Sequence, residues 1–154
     1  MPTTNPDIYE ITTALERIDI ARVHEFLAQS YWSPGIPLQT VERALQNSLC
    51  FGVLHTVDGF AGFARLVTDR ATFAYLADLF IMPAHRGRGL SKRLMAEILA
   101  HREVQGLRRW MLATRDAHGL YARFGFQPLN DPSRLMTLHR PHIYTQELKA
   151  PASP

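Results

Sequence analysis

Three features of the 154-residue sequence predict a mixed α/β fold with a central, mostly antiparallel sheet flanked by helices. Two apolar, β-prone runs, residues 50–57 and 60–68, are separated by Asp58-Gly59, a dipeptide that supplies positive φ at little cost and closes a hairpin. A nearly continuous apolar and aromatic run, Thr72–Met82, leads through a glycine-bearing loop to Leu90, Leu94, Met95, Ile98 and Leu99, which share one helical face. The periodicities read βαα, then ββ, then βαβαβ with one more strand at the end, an order that a layered α/β domain produces. With 46% hydrophobic and 20% charged residues, the chain can bury about 68–70% of its unfolded surface as one domain.

Taken in order, residues 1–6 and 150–154 are short ends containing proline and are expected to be flexible, which leaves a single domain over 7–149. Ile8–Thr13 alternates enough for a short strand. Ile20, Val23 and Leu27 recur at helical spacing behind Asp19, a capping residue, and predict a first helix to about Ser30. The stretch Tyr31-Trp32-Ser33-Pro34-Gly35-Ile36-Pro37 is turn chemistry carrying two aromatic rings. Val41, Ala44, Leu45 and Leu49 mark a second helix, and the hairpin follows. Thr72–Met82, with Asp78 as its only charge, reads as a strand covered on both faces and stopped by Pro83. The next helix is expected to end near Gly106. Trp110–Ala113 resumes a strand, Ala117–Phe124 is a short helix stopped by Gly125, and Phe126–Leu129 and Leu135–Leu138 are read as closing strands.

Composition excludes several functions. No run approaches 18 apolar residues, and Met1–Asn5 lacks the pattern of a leader, so no membrane association and a cytoplasmic location are expected. Cys50, the single cysteine, has no partner for a disulfide or a zinc site; in an apolar run it reads as a small buried hydrophobe. His139 and His142 have no spacing-consistent partner, so no metal is expected. The net charge is +3 and the pI 9.4, carried mainly by arginine. Arg86, Arg88, Lys92, Arg93, Arg102, Arg108 and Arg109 face only Glu97 and Glu103 in that segment. No nucleic-acid-binding motif accompanies them, so a nucleic-acid partner is not expected.

Arg86-Gly87-Arg88-Gly89-Leu90-Ser91 lies between a predicted strand and an amphipathic helix, where unpaired N–H groups and the positive end of the helix dipole converge. Such a terminus is an anion site, and the glycines let a phosphate approach without a Cβ in the way. Neither G-x-x-x-x-G-K-[ST] nor G-x-G-x-x-G with a downstream acid is present, which excludes Walker and Rossmann phosphate sites.

The segment Leu79-Phe80-Ile81-Met82-Pro83-Ala84-His85-Arg86-Gly87-Arg88-Gly89-Leu90 resembles the strand and pyrophosphate loop of the GNAT superfamily of acetyl-CoA-dependent N-acyltransferases. Leu120-Tyr121-Ala122-Arg123-Phe124-Gly125-Phe126 resembles that family's second motif, and the preceding βααββ order agrees. The resemblance implies a GNAT-like sheet splayed at the cofactor strand. Backbone groups of Leu79, Phe80 and Ile81 would hold pantetheine, and the N–H groups of Arg86, Gly87, Arg88, Gly89, Leu90 and Ser91 the pyrophosphate, with the arginine side chains free for the phosphates. Ser91 stands where the family carries Gly or Ala, and Thr114 where many relatives place a cofactor-contacting Asn.

It further implies acetyl transfer from acetyl-CoA to a primary amine by direct attack through a tetrahedral intermediate. Tyr121 would be the general acid toward the departing sulfur, and a backbone N–H of the splayed strand the oxyanion donor. Asp78, a lone charge in an apolar run, is the candidate base, acting directly or through water. Asp116 and His118 flank the short helix, and Tyr31 and Trp32 would wall the acceptor pocket. An anionic acceptor would favour Arg65, a cationic one Asp78, Asp116 or Glu42. Pairing of exposed strands between subunits would make a homodimer. The competing reading is a non-catalytic acyl-CoA-binding sensor or regulatory module.

Overall fold

The computed structural model describes residues 8–146, so the predicted flexible ends and both expected domain limits, 7 and 149, lie outside the described residues. Five strands form one sheet in sequence order: β1 (Tyr9–Thr12), β2 (Leu49–His55), β3 (Gly59–Thr68), β4 (Phe73–Ile81) and β5 (Arg109–Leu112). The first four pair antiparallel, and β5 joins β4 in parallel. Asp58-Gly59 turns the β2–β3 hairpin as predicted, with Gly59 at φ 77°.

Helices α1 (Ile20–Ala28) and α2 (Leu38–Gln46) cover one face of the sheet. Their Val23, Leu27, Val41 and Leu45 share a core with Phe63 and Phe80. Asp19 starts α1 by accepting the Arg22 N–H at 3.2 Å, satisfying one donor that the helix leaves open. Helix α3 (Leu90–Ala100) covers the other face and buries Leu90, Leu94, Met95 and Ile98 against Phe51, Leu66 and Leu76. Among the described residues no helix is long and apolar enough to cross a membrane.

A bulge in β4 decides which side chains reach which layer. Arg65 stands opposite Asp78 and Leu66 opposite Leu76, so Ala77 is the extra, unpaired residue. An extra residue reverses the alternation of a strand. Ala74 and Leu76 therefore join the α3-side core, while Phe80 belongs to the cluster under α1 and α2. Asp78 points with Phe80 and is kept out of the α3-side core.

The structure departs from the sequence reading in three places. β4 is covered only in part: Ala74, Leu76 and Ile81 enter the α3-side core and Phe80 the core under α1 and α2, but Tyr75, Ala77 and Leu79 are half-buried. Helix α3 stops at Ala100 and not near Gly106. His101 is extended there, at ψ 133°, and its Nδ1 accepts the Glu103 N–H, starting a separate 3-10 turn over Arg102–Val104. The closing strands over 126–129 and 135–138 do not form. Pro128 and Pro132 withhold ladder donors, and the Asp131 carboxylate takes the Ser133 N–H to start another 3-10 turn. The chain instead runs on to α5 (Ile143–Gln146), where Tyr144 packs against the α1–α2 core beside Gly35.

Candidate active site

Parallel pairing of β4 with β5 ends at Leu76 and Leu112. Beyond that point β4 continues to Ile81, whereas the chain leaves β5 as the loop from Ala113 to Ala117. The separation opens a groove of ≈ 860 Å³ between the strands, with Leu79, Phe80 and Ile81 on one wall and Thr114, Leu120 and Tyr121 on the other. The splay predicted at this strand is present, and it leaves one edge of β4 without a strand partner.

At one end of the groove the loop after β4 enters α3. Gly87 and Gly89 have φ of 78° and 74°, the left-handed region that disfavours any side chain, and a Cβ at either would meet nothing within 4 Å. Gly89 precedes the first turn of α3, and no side chain caps that turn. The leading N–H groups of an 11-residue helix thus lack an intrahelical partner beside the groove, which Arg86 and Ser91 also line.

Arg86 and Arg88 are not the free side chains expected from the sequence. Arg86 Nε donates to the Ile81 carbonyl at 2.9 Å, which also occupies one of the expected backbone partners on β4. Arg88 Nη1 donates to Tyr9 Oη at 3.1 Å and does not line the groove. Tyr9 Oη also lies 2.7 Å from Nδ1 of buried His85, and burial holds that imidazole below its usual range. The loop is tied to β1 by contacts that sequence reading missed, because the partners lie 76 and 79 residues apart. Leu90 packs into the core, so only its backbone can serve a ligand.

Tyr121 is on α4 (His118–Ala122), a short helix begun when Thr114 Oγ1 accepts the Ala117 N–H at 3.0 Å. The Tyr121 carbonyl receives the N–H groups of Phe124 and Phe126, and Gly125 turns between them at φ 92°. The side chain is 8% exposed yet lines the groove. Burial raises its phenol above the ordinary tyrosine value, and Tyr31 and Asp116 add to the rise. At neutral pH it keeps its proton and can donate it. Asp116 lines the groove from an exposed position, whereas His118 does not line it.

Asp78 is 4% exposed and meets the groove with both oxygens engaged. Oδ1 accepts Trp32 Nε1 at 2.7 Å, Oδ2 accepts Arg65 Nε at 2.8 Å, and Arg65 Nη1 reaches Ser48 Oγ at 3.2 Å. The sequence shows the lone charge in β4; only the register places Arg65 directly across from it. Asp78→Asn should lower stability by about 2 kcal/mol, below the usual cost of breaking a buried pair because the Arg65 side chain keeps some solvent contact. Urea denaturation measures it, and an unchanged midpoint would mean that the pair contributes nothing.

Tyr31 and Trp32 line the groove. The Arg115 guanidinium lies 3.9 Å from the Tyr31 ring centre, and the Arg115 N–H donates to Tyr31 Oη at 3.4 Å, so the α1–α2 loop bridges to the loop after β5. Phe26, Tyr75, Arg115 and His139 also line the groove and were not singled out as site residues. Cys50 is buried as expected, and burial pushes its thiol up to about 12. Among the described residues, no group of three or more His, Cys, Asp and Glu could hold a metal ion.

Comparison with known proteins gives the same assignment. Residues 46–128 match the family model described as an acetyltransferase (GNAT) domain. A crystal structure from Xanthomonas campestris pv. campestris, described as an acetyltransferase of the GNAT family, is 50% identical and superposes with a TM-score of 0.85, over 89% of this chain and 96% of that one. A Gibberella zeae protein named as an acetyltransferase is 33% identical over 113 residues, 60% of this chain and 63% of its own length. A Bacillus subtilis protein named for alanine N-acetylation of ribosomal protein bS18 is 31% identical over 117 residues, 71% of this chain and 76% of its own. The separated strands, the glycine loop at the α3 terminus and these likenesses agree: the chain belongs to the GNAT acetyltransferase family.

Proposed function

We propose that the protein transfers the acetyl group of acetyl-CoA to a primary amine. The observation that carries this reading is that one groove joins the unpaired edge of β4, the uncapped terminus of α3 and the buried, protonated phenol of Tyr121. These parts fit the cofactor. The Gly87 and Gly89 positions are open where a Cβ would crowd a pyrophosphate, and the α3 terminus presents N–H donors and a positive dipole to it. Leu79 keeps its backbone groups on the open edge for the pantetheine arm, whereas Phe80, in phase with the Met82 N–H that donates to the Ala61 carbonyl, turns its backbone toward β3; Thr114 and Ser91 supply hydroxyls along the groove. Acetyl-CoA brings an acetyl group activated as a thioester; the remaining work falls to the chain.

A backbone N–H on the opened edge of β4 meets the negative charge that develops on the carbonyl oxygen. Tyr121 holds a proton for the departing sulfur. Asp78 is the buried carboxylate lining the groove, and the acceptor sites that Trp32 and Arg65 leave open on its oxygens would take an ammonium proton through water.

Calorimetric titration with acetyl-CoA, with dephospho-CoA as control and thiol release from an amine panel, tests the reading. Saturable micromolar binding with amine-dependent thiol release is expected. Absence of binding overturns the proposal, and binding without release from any amine points to a sensor instead.

A further inference from the structure

The acceptor half of the groove is chemically unlike the cofactor half. Phe26, Tyr31, Trp32, Tyr75 and Phe80 line it. Phe26 and Phe80 stack at 3.8 Å, and Tyr31 meets Trp32 edge-on at 5.0 Å. Tyr31 and Trp32 remain 49% and 37% exposed although they stand in a concavity, so a large apolar area awaits cover. Both rings are already oriented, Trp32 by its bond to Asp78 and Tyr31 by Arg115. Little ordering would be needed to seat a flat ligand against them.

The polar groups narrow the ligand further. Each arginine lining the groove has a partner: Arg65 holds Asp78 and Ser48, Arg86 holds the Ile81 carbonyl, and Arg115 covers Tyr31. A carboxylate entering here would have to share a guanidinium already committed to another partner, using only its remaining N–H donors. An ammonium, by contrast, meets the Asp78 and Asp116 carboxylates and the faces of electron-rich rings, which attract cations.

We propose that the acceptor is an arylalkyl primary amine without a carboxylate, its ring seated on Tyr31, Trp32 and Tyr75 and its ammonium turned toward Asp78. This rests on the acetyl-transfer reading. The full-length chain with saturating acetyl-CoA would be assayed by thiol release on phenethylamine, tryptamine, hexylamine, phenylalanine and a short peptide with a free N-terminus. For the two aryl amines, kcat/KM should exceed that for hexylamine by about 10-fold and that for phenylalanine by about 100-fold. Tyr31→Leu and Trp32→Leu should each reduce the aryl-over-alkyl ratio to about 2-fold. Tyr31 is half exposed, so its variant tests the ratio even where Trp32→Leu fails to fold.

A second arm needs no turnover: phenethylamine alone should quench tryptophan fluorescence saturably, and the quench should vanish in Trp32→Leu. Equal rates with phenylalanine, hexylamine or the peptide, or an unchanged ratio in the Tyr31 variant, would overturn the aryl-amine proposal while leaving acetyl transfer intact. Failure to bind acetyl-CoA would overturn the transfer reading, and the fluorescence arm would then decide alone whether an aryl amine occupies the groove.

Discussion

Replacing Tyr121 with phenylalanine is expected to lower kcat by about 100-fold, the usual scale of a positioned general acid, while acetyl-CoA affinity stays the same. The substitution removes one oxygen. The ring keeps its edge-on contact with Phe126, 6.1 Å between centres, so the fold should lose no more than about 1 kcal/mol. A pH profile gives a second readout with a definite sign. Burial raises the Tyr121 phenol, so wild-type activity should fall on the alkaline side only above the ordinary tyrosine range of about 10. The phenylalanine variant should lack that limb. Unchanged turnover with a good amine would remove Tyr121 from proton transfer, and a parallel loss of acetyl-CoA binding would reassign it to the pocket wall.

Gly89→Val is expected to weaken acetyl-CoA binding by about 100-fold in a protein that still folds, through loss of close anion approach to the α3 terminus. At φ 74° a branched side chain is strained by about 1–2 kcal/mol, so a modest drop in melting temperature should accompany the change. Gly106→Val separates the two effects. Gly106 has nearly the same φ, 73°, and equally open surroundings, but it follows the far end of α3 and not its first turn. It should lose comparable stability and bind acetyl-CoA normally. Equal affinity loss in both variants would mean that the binding defect is only destabilisation.

Much of this site was legible because its signals are local. The glycines need positive φ whatever surrounds them, and the residues following them have the apolar spacing of a helix, so Arg86–Ser91 announces a helix terminus open to an anion. The Gly125-Phe126 turn, which holds the Tyr121 carbonyl, is equally local. The Asp78 side chain was legible only as a charge out of place. Its two partners come from β3 and from the α1–α2 loop, 13 and 46 residues away, and no local pattern encodes such pairings. The same limit explains Arg86 and Arg88. Their charge pointed to a ligand, but neighbours in space had already engaged them.

By itself the sequence determined the order and type of the first elements, the hairpin at Asp58-Gly59, the amphipathic faces of α1, α2 and α3, and the two motifs. These follow from side-chain periodicity and backbone dihedral preference, which act over a few residues. Only the tertiary structure decided where β4 parts from β5, that a bulge at Ala77 turns Asp78 toward Trp32 and Arg65, and that residues 126–138 add no strand. Those outcomes depend on register and on competition for backbone donors between distant segments, which are settled when the layers pack.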